Sequence, residues 1–380
     1  MAVVTGVTLT SAADVAIRRL APGSGDPARV KEAVSMTANE HTNLERYVRQ
    51  IVFPGMGEAG QRALLNASVS LIGCGALGSA LANLMVRAGV GRLVIADRDF
   101  VELNNLQRQS LYDETHVVRN LPKAVAAAER LRAINSEVEI VPHVMDVNPY
   151  NIESLVSGAD VVLDGNDNFE VRYLINDVCV KLGIPWVYAA VIGSSGMTAT
   201  IIPGETACLR CLFPDMPPPG SVPTCETAGI LGPVVQVIAS IAAMEGIKLL
   251  TGQGTLNQGL IAVDVWDHTY ETFESTGRRP NCPACGLNQF EYLNAEIGSQ
   301  AMSLCGREAV HISVPGARPL DLAEMARRLE TVGRVSFNDY LLRLEVDDYE
   351  ITLFPDARAF IKGTNDEAVA RTLYSKYVGI

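Results

Sequence analysis

Val69-Ser70-Leu71-Ile72-Gly73-Cys74-Gly75-Ala76-Leu77-Gly78 is the stretch on which the fold of this 380-residue chain turns. Its first four residues make a short apolar run of the kind buried in a sheet. A G-x-G-x-x-G sequence follows at once, and 80–88 reads as a helix. In that strand–loop–helix order the glycines permit a tight turn and let a phosphate approach backbone N–H groups at a helix N-terminus. Residues 92–97 read as the next strand and end on Asp97, where a carboxylate can accept hydrogen bonds from ribose hydroxyls. Further strands at 138–141, 161–164 and 186–190 alternate with helices near 122–134 and 169–182. Alternation at this spacing predicts a Rossmann-like, doubly wound α/β fold with a mostly parallel sheet covered on both faces. Gly73, Gly75, Gly78 and Asp97 are therefore the first candidates for holding a nucleotide.

The residues beyond Asp97 narrow the chemistry, because a glycine loop and an acid alone suit an NAD-dependent oxidoreductase equally well. Asn104-Asn105-Leu106-Gln107-Arg108-Gln109 sets polar groups just past a strand's C-terminal end, where open α/β sheets bind ligands. Leu121-Pro122-Lys123 opens a helix with a lysine in its first turn; that charge opposes the helix dipole, so an anion is expected beside it. Asp164-Gly165-Asn166-Asp167-Asn168 follows another apolar strand, with Arg172 in the helix after it. An arginine, a lysine and a carboxylate at strand ends suit phosphates and magnesium. Any one of them alone reads equally well as a solvated loop charge.

Hydrophobic residues make up 48% of the chain and charged residues 19%, which is ample for a packed core. A formal charge of −12 argues against general affinity for nucleic acid. The apolar stretches look broken by Gly, Pro or charge before the roughly 20 residues of a bilayer span, so no membrane is expected. No secretory signal is evident, and the chain reads as cytoplasmic. Of eight cysteines, four fall in two Cys-x-x-Cys pairs, Cys208/Cys211 and Cys282/Cys285. Four thiolates can close one tetrahedral zinc site with no open position, which makes the zinc structural; redox pairs are the alternative. Cys74 and Cys179 read as small packing residues. Cys305 suggests no role.

Along the chain, 1–36 reads as a disordered leader, with Met36 a second candidate start, and a helix is expected from about 40. The segment 213–224 carries Pro214, Pro217, Pro218, Pro219 and Pro223 and reads as an exposed loop ending at Cys225. Residues 234–250 suit a helix buried in the core or at a subunit interface. Past 286 the pattern changes to a small α+β module, 287–380, with helices at 320–330 and from 367 and strands from 309 and at 341–346, 350–354 and 358–362.

As a set these features resemble the ThiF/MoeB family, prokaryotic relatives of ubiquitin-activating enzymes. The matching stretches are Arg46-Tyr47-Val48-Arg49-Gln50-Ile51, the glycine loop, Asp97-Arg98-Asp99, Asn105-Leu106-Gln107-Arg108-Gln109, Pro122-Lys123, Asp167-Asn168 with Arg172, both cysteine pairs, and Thr224-Cys225-Glu226-Thr227-Ala228-Gly229. They span about 44–286, within an adenylyltransferase domain expected at 37–286. Ala76 departs from the pattern, since the family often has a third glycine there. The resemblance implies ATP-dependent adenylation of the C-terminal Gly-Gly carboxylate of a small ubiquitin-like sulfur-carrier protein, of the thiamin, molybdopterin or tRNA-thiolation type. By the same resemblance Asp97 holds the ribose, Asn105 lines the nucleotide site, and Arg108 and Lys123 neutralise the triphosphate. Asp167 holds magnesium, Arg49 reaches the partner's phosphates in a homodimer, and Cys225 carries the carrier as a thioester or acyl-disulfide. The rival readings are a related tRNA-modifying dehydratase, an NAD-dependent oxidoreductase and a non-catalytic binding module. The negative charge and the complete Asn105–Gln109 segment weigh against the first, and Arg108, Lys123 and Asp167 against the last.

Overall fold

The apolar run at 69–72 lies at the middle of the larger of two sheets. The structure, a computed structural model, describes residues 44–215, 228–275, 277–295, 302–303, 309–313 and 319–378. The chain divides into two units, Met1–Arg49 and Gln50–Ile380. What is described of the first is a turn of 3-10 helix, Glu45–Tyr47, and the start of a single helical turn, Val48–Ile51. The helix expected from about 40 is thus short over its described part, and a separate helix, α1 (Gly57–Asn66), follows in the second unit.

In the second unit, β1 (Ser68–Ile72) pairs in parallel with β2 (Arg92–Asp97) on one side and β4 (Val161–Asp164) on the other. β3 (Glu139–Val144) extends the β2 side, and β5 (Trp186–Ile192) extends the β4 side. The order β3-β2-β1-β4-β5 reverses direction at β1/β4, which makes the carboxyl ends of those two strands the natural crevice for a ligand. The crossover helices are α2 (Ala76–Ala88), α3 (Lys123–Ile134) and α4 (Phe169–Leu182). Three strands that the sequence did not suggest complete the sheet in antiparallel fashion: β6 (Ser195–Ile201), β7 (Gly259–Asp264) and β8 (Thr269–Glu274). All six residues of β8 are exposed, so the expectation of a sheet covered on both faces fails at this edge.

Helix α5 (Gly232–Thr251) packs on α2 and on β4–β6, burying Val234, Val235, Ile238, Ala239, Ala242 and Ala243. At 20 residues it is long and apolar enough to cross a membrane by length and composition, contrary to the sequence expectation. Glu245 does not break it. That side chain is 4% exposed and accepts hydrogen bonds from Thr200 Oγ1 (2.8 Å) and the Asn257 N–H (2.8 Å), beside the Lys248 ammonium (2.5 Å).

The second sheet contains β9 (Met302–Ser303), β10 (Ala309–Ile312), β11 (Arg334–Phe337), β12 (Leu342–Val346), β13 (Tyr349–Leu353) and β14 (Ala359–Lys362). Its order is β11-β12-β13-β14-β10-β9, antiparallel throughout. Helix α6 (Leu322–Leu329) turns Leu322, Met325, Ala326 and Leu329 inward at helical spacing, and α7 (Glu367–Tyr377) adds Ala370, Leu373 and Tyr374 to the same core. A cluster of Phe100, Leu341, Phe354 and Phe360 against Val144 joins this sheet to the first.

At that junction His311 is 5% exposed, with its ring 4.9 Å from that of Phe360 and Nδ1 3.9 Å from Asp146. Burial pushes the imidazole down to about 4, against the pull of Asp146 and with help from Arg98 and Arg358. A histidine held neutral in the fold, but free to charge when unfolded, contributes stability above its ordinary pKa. That stability is lost as pH falls through the window from 6.5 to about 4. Urea unfolding across this window should show the wild type losing up to about 3 kcal/mol more than His311→Phe. Identical pH slopes for the two proteins would contradict the buried neutral imidazole.

Candidate active site

The carboxyl ends of β1, β2 and β4 meet around three glycines. Gly73 has φ +88°, and its carbonyl oxygen lies only 2.1 Å from where a Cβ on Gly78 would sit and 2.3 Å from one on Gly165. The loops after β1 and β4 thus touch backbone to backbone, and any side chain at 78 or 165 would part them. Gly75 is different. A Cβ there would meet nothing nearer than Gln109 Nε2 at 3.8 Å, which leaves its face of the loop open at the N-terminus of α2. Gln109 is 3% exposed, and its Oε1 has no hydrogen-bond partner among the described residues. An orphaned polar atom beside an open glycine turn fits a polar ligand held there.

Asp97 ends β2 with both carboxylate oxygens engaged: the Cys74 N–H donates to Oδ2 (2.6 Å) and the Asp99 N–H to Oδ1 (2.7 Å). Burial pushes its carboxyl upward, while the nearby Lys123 opposes that shift. Lys123, 6% exposed at the start of α3, places Nζ 2.9 Å from Asp99 Oδ2. The anion expected beside this lysine is therefore Asp99. Burial works against the ammonium, but Asp99 and Asp97 together hold its pKa above the ordinary lysine value, so it is charged at neutral pH.

Asn105 is 2% exposed and serves its own turn, accepting from the Glu102 N–H (3.3 Å) and donating to Asn104 Oδ1 (2.7 Å). Arg108 stands partly exposed and donates to the Asn104 carbonyl (2.9 Å). Asp167 is exposed in the loop after β4, and its charge reaches Arg98, Lys123 and Arg172. Arg172 departs from the sequence reading. Its guanidinium is 5% exposed and bound to Asp164 (3.1 Å) and to the carbonyls of Asn166 (2.6 Å) and Ala189 (3.2 Å), so it braces the loop beneath Asp167. Arg49 is exposed in the Val48–Ile51 turn. Cys225, Cys305 and the proline-rich run 217–219 lie outside the described residues.

Cys208, Cys211, Cys282 and Cys285 gather with all four sulfurs within 4.8 Å of one another. The separations Cys208–Cys211 (3.8 Å), Cys208–Cys282 (3.6 Å) and Cys211–Cys285 (3.4 Å) are far too long for disulfide bonds. They match the sulfur–sulfur edge of about 3.8 Å that a tetrahedron with metal–sulfur bonds of about 2.3 Å requires. The cluster could hold a metal ion. Cys74 and Cys179 are fully buried, and burial raises both thiol pKa values, Cys74 to about 12. Both are packing residues, as the sequence suggests.

Residues 47–284 match the model of the ThiF family. The protein of Bacillus subtilis (strain 168) named sulfur carrier protein ThiS adenylyltransferase is 44% identical over 336 residues, 88% of this chain and 99% of its own length. The chain belongs to the ThiF family. A Haloferax volcanii family relative, named SAMP-activating enzyme E1, is 41% identical over 246 residues, covering 64% of this chain and 90% of its own. Among solved structures the crystal structure of E. coli MccB superposes with a TM-score of 0.57 at 24% identity, over 64% of this chain and 72% of that one. That likeness is one of fold.

The glycine contact yields a direct test. Gly78→Ala would drive a methyl into the Gly73 carbonyl, with backbone on both sides, and should cost about 2–4 kcal/mol in urea unfolding. Gly165→Ala presses on the same oxygen, so the double variant should cost less than the two single costs added. A wild-type midpoint for Gly78→Ala would mean the two loops have slack.

Proposed function

We propose that this chain uses ATP to adenylate the C-terminal Gly-Gly carboxylate of a small ubiquitin-like sulfur-carrier protein. The observation that carries the reading is the meeting of Asp97, Lys123 and Asp167 around the open glycine turn at the β1/β4 switch point. The ThiS adenylyltransferase relative, aligned over nearly its whole length, supports it.

The site's groups then divide the work. Asp97 holds the ribose hydroxyls, and the glycine-loop N–H groups with Arg108 and Lys123 face the phosphates. The Asp99 carboxylate that neutralises Lys123 in the free protein competes with a phosphate oxygen for the same ammonium. Asn105 fixes the turn that presents Arg108, and Asp167 would hold a magnesium ion, which would offset phosphate charge. A carrier carboxylate oxygen attacks the α-phosphorus, the bond to the β-phosphate breaks and pyrophosphate leaves. No enzyme nucleophile is needed; the protein positions the reactants and stabilises charge. We further assign zinc to the four cysteines as a structural ion, and a homodimer in which Arg49 serves the partner's phosphates. Cys225 is assigned as the thiol that later takes the activated carrier. Residues 37–286 would form the catalytic domain of a cytoplasmic enzyme, with 287–380 as its attached module.

With a Gly-Gly-ending carrier present, labelled pyrophosphate should exchange into ATP, and Arg108→Ala or Asp167→Ala should lower the rate by about 10²–10³-fold. Exchange at wild-type rate in either variant would remove that residue from the mechanism. Elemental analysis should find about one zinc per chain, and Cys282→Ser should lower zinc content and melting temperature together. Full stability in chelator-stripped protein would refute the structural zinc.

A further inference from the structure

Arg358, in the turn between β13 and β14, is 1% exposed. Its Nε donates to Asp356 Oδ2 at 3.0 Å, its guanidinium lies 3.8 Å from the Phe354 ring centroid, and Nη1 donates to the Arg98 carbonyl at 3.0 Å. Nη2 is buried without a hydrogen-bond partner among the described residues. A guanidinium buried this deeply costs stability that a carbon side chain of similar volume would not, so stability alone does not account for it.

The group it grips supplies the account. The Arg98 C=O and the Asp99 N–H are the two ends of one planar peptide unit, so fixing one orients the other. That N–H donates to Asp97 Oδ1 (2.7 Å). The next carbonyl, of Asp99, accepts the Lys123 N–H (2.8 Å), and the Asp99 carboxylate holds Lys123 Nζ (2.9 Å). The Arg98 side chain is itself tied to Asp146 (2.8 Å) and lies over the Phe360 ring of β14. Farther along the loop, Arg343 and Lys362 of the same sheet lie over Phe100, at 5.0 and 5.5 Å from its centroid.

We propose that Arg358 is a positioning residue for the nucleotide site: the C-terminal sheet sets the Arg98–Asp99 peptide plane and, through it, the placement of Asp97 and Lys123. Nucleotide affinity then depends on a sheet that lies outside the glycine-loop fold. The proposal rests on the ATP-binding part of the functional reading and on nothing about the carrier.

The test uses the full chain and ATP with magnesium chloride. Arg358→Met removes the grip at nearly constant volume, and Arg358→Lys keeps the charge without the fork. By calorimetry Arg358→Met should weaken ATP binding about tenfold, with Arg358→Lys in between. Both should melt near the wild type, and exposed Arg334→Ala in β11 serves as a control with unchanged affinity. Hydrogen exchange in the absence of nucleotide should quicken at 98–103 in both Arg358 variants but not along α5. In the wild type, bound ATP should slow exchange at 354–360, because coupling between two sites is reciprocal; that measurement needs no variant to fold. Unchanged ATP affinity in folded Arg358→Met, or no ATP-dependent protection at 354–360, would overturn the proposal and leave the functional reading intact. A wild-type chain that binds no ATP would overturn both.

Discussion

The Gly73 carbonyl oxygen, pressed against Gly78 on one side and Gly165 on the other, is the contact on which the site depends. It brings the loops after β1 and β4 to backbone distance, a separation that no residue with a side chain permits. The crevice at a switch point is otherwise only a topological expectation. Here it narrows to a turn with one open face, at Gly75, and with Gln109 and Asp97 on its rim. Helix α2 starts directly from that turn, so its leading N–H groups point where an anion would lie.

Around this contact the fold gathers buried and partly buried charges. Asp97, Asp99 and Lys123 form one cluster, Asp164 and Arg172 a second, and Arg98 and Asp146 a third. Buried ion pairs seldom add net stability over apolar packing, and breaking one leaves a stranded charge. Such groups crowded at three strand ends are better understood as fixed dipoles and charges held ready for a ligand. The second cluster illustrates the division of labour. Arg172 is engaged by Asp164, which is fully buried and would lose its counter-cation without it, keeping only the hydrogen bonds from Asn166. What Arg172 does is hold the 164–167 loop so that Asp167 stays exposed above it.

The parallel half of the sheet was legible because β1–β5 are short apolar runs separated by helical periods. The antiparallel half was not. Ser195-Gly196-Met197-Thr198 carries little hydrophobic signal, and β8 is a solvent-exposed edge whose Thr and Glu residues read as loop. At the site, Gly73, Gly78, Asp97 and Lys123 could be found from position alone, since each sits at a strand end or helix start. Asp99 and Gln109 lay inside quoted motifs without being singled out, because only tertiary packing shows one meeting Lys123 and the other the glycine turn. Arg172 was misjudged for the same reason: sequence placed it near Asp167 but could not show that Asp164 is its partner. In α5 the charged Glu245 interrupts the apolar run in sequence, and Thr200 and Asn257 from outside the helix and Lys248 within it satisfy its carboxylate.

The cysteine cluster connects to this site through α4. The Asn168 side chain caps the helix by accepting from the Glu170 and Val171 N–H groups, one residue after Asp167. Farther along α4, Asn176 Oδ1 accepts the Leu209 N–H (2.8 Å) and Asp177 Oδ2 accepts the Tyr292 N–H (3.0 Å). Leu209 follows Cys208 directly, and Tyr292 lies in the segment after Cys285. Burial pushes the Asp177 carboxyl up to about 6. A helix hydrogen-bonded internally along its length transmits displacement with little loss, so whatever fixes the four sulfurs also fixes where α4 begins. On this geometry one helix joins the cysteine cluster to the turn that carries Asp167.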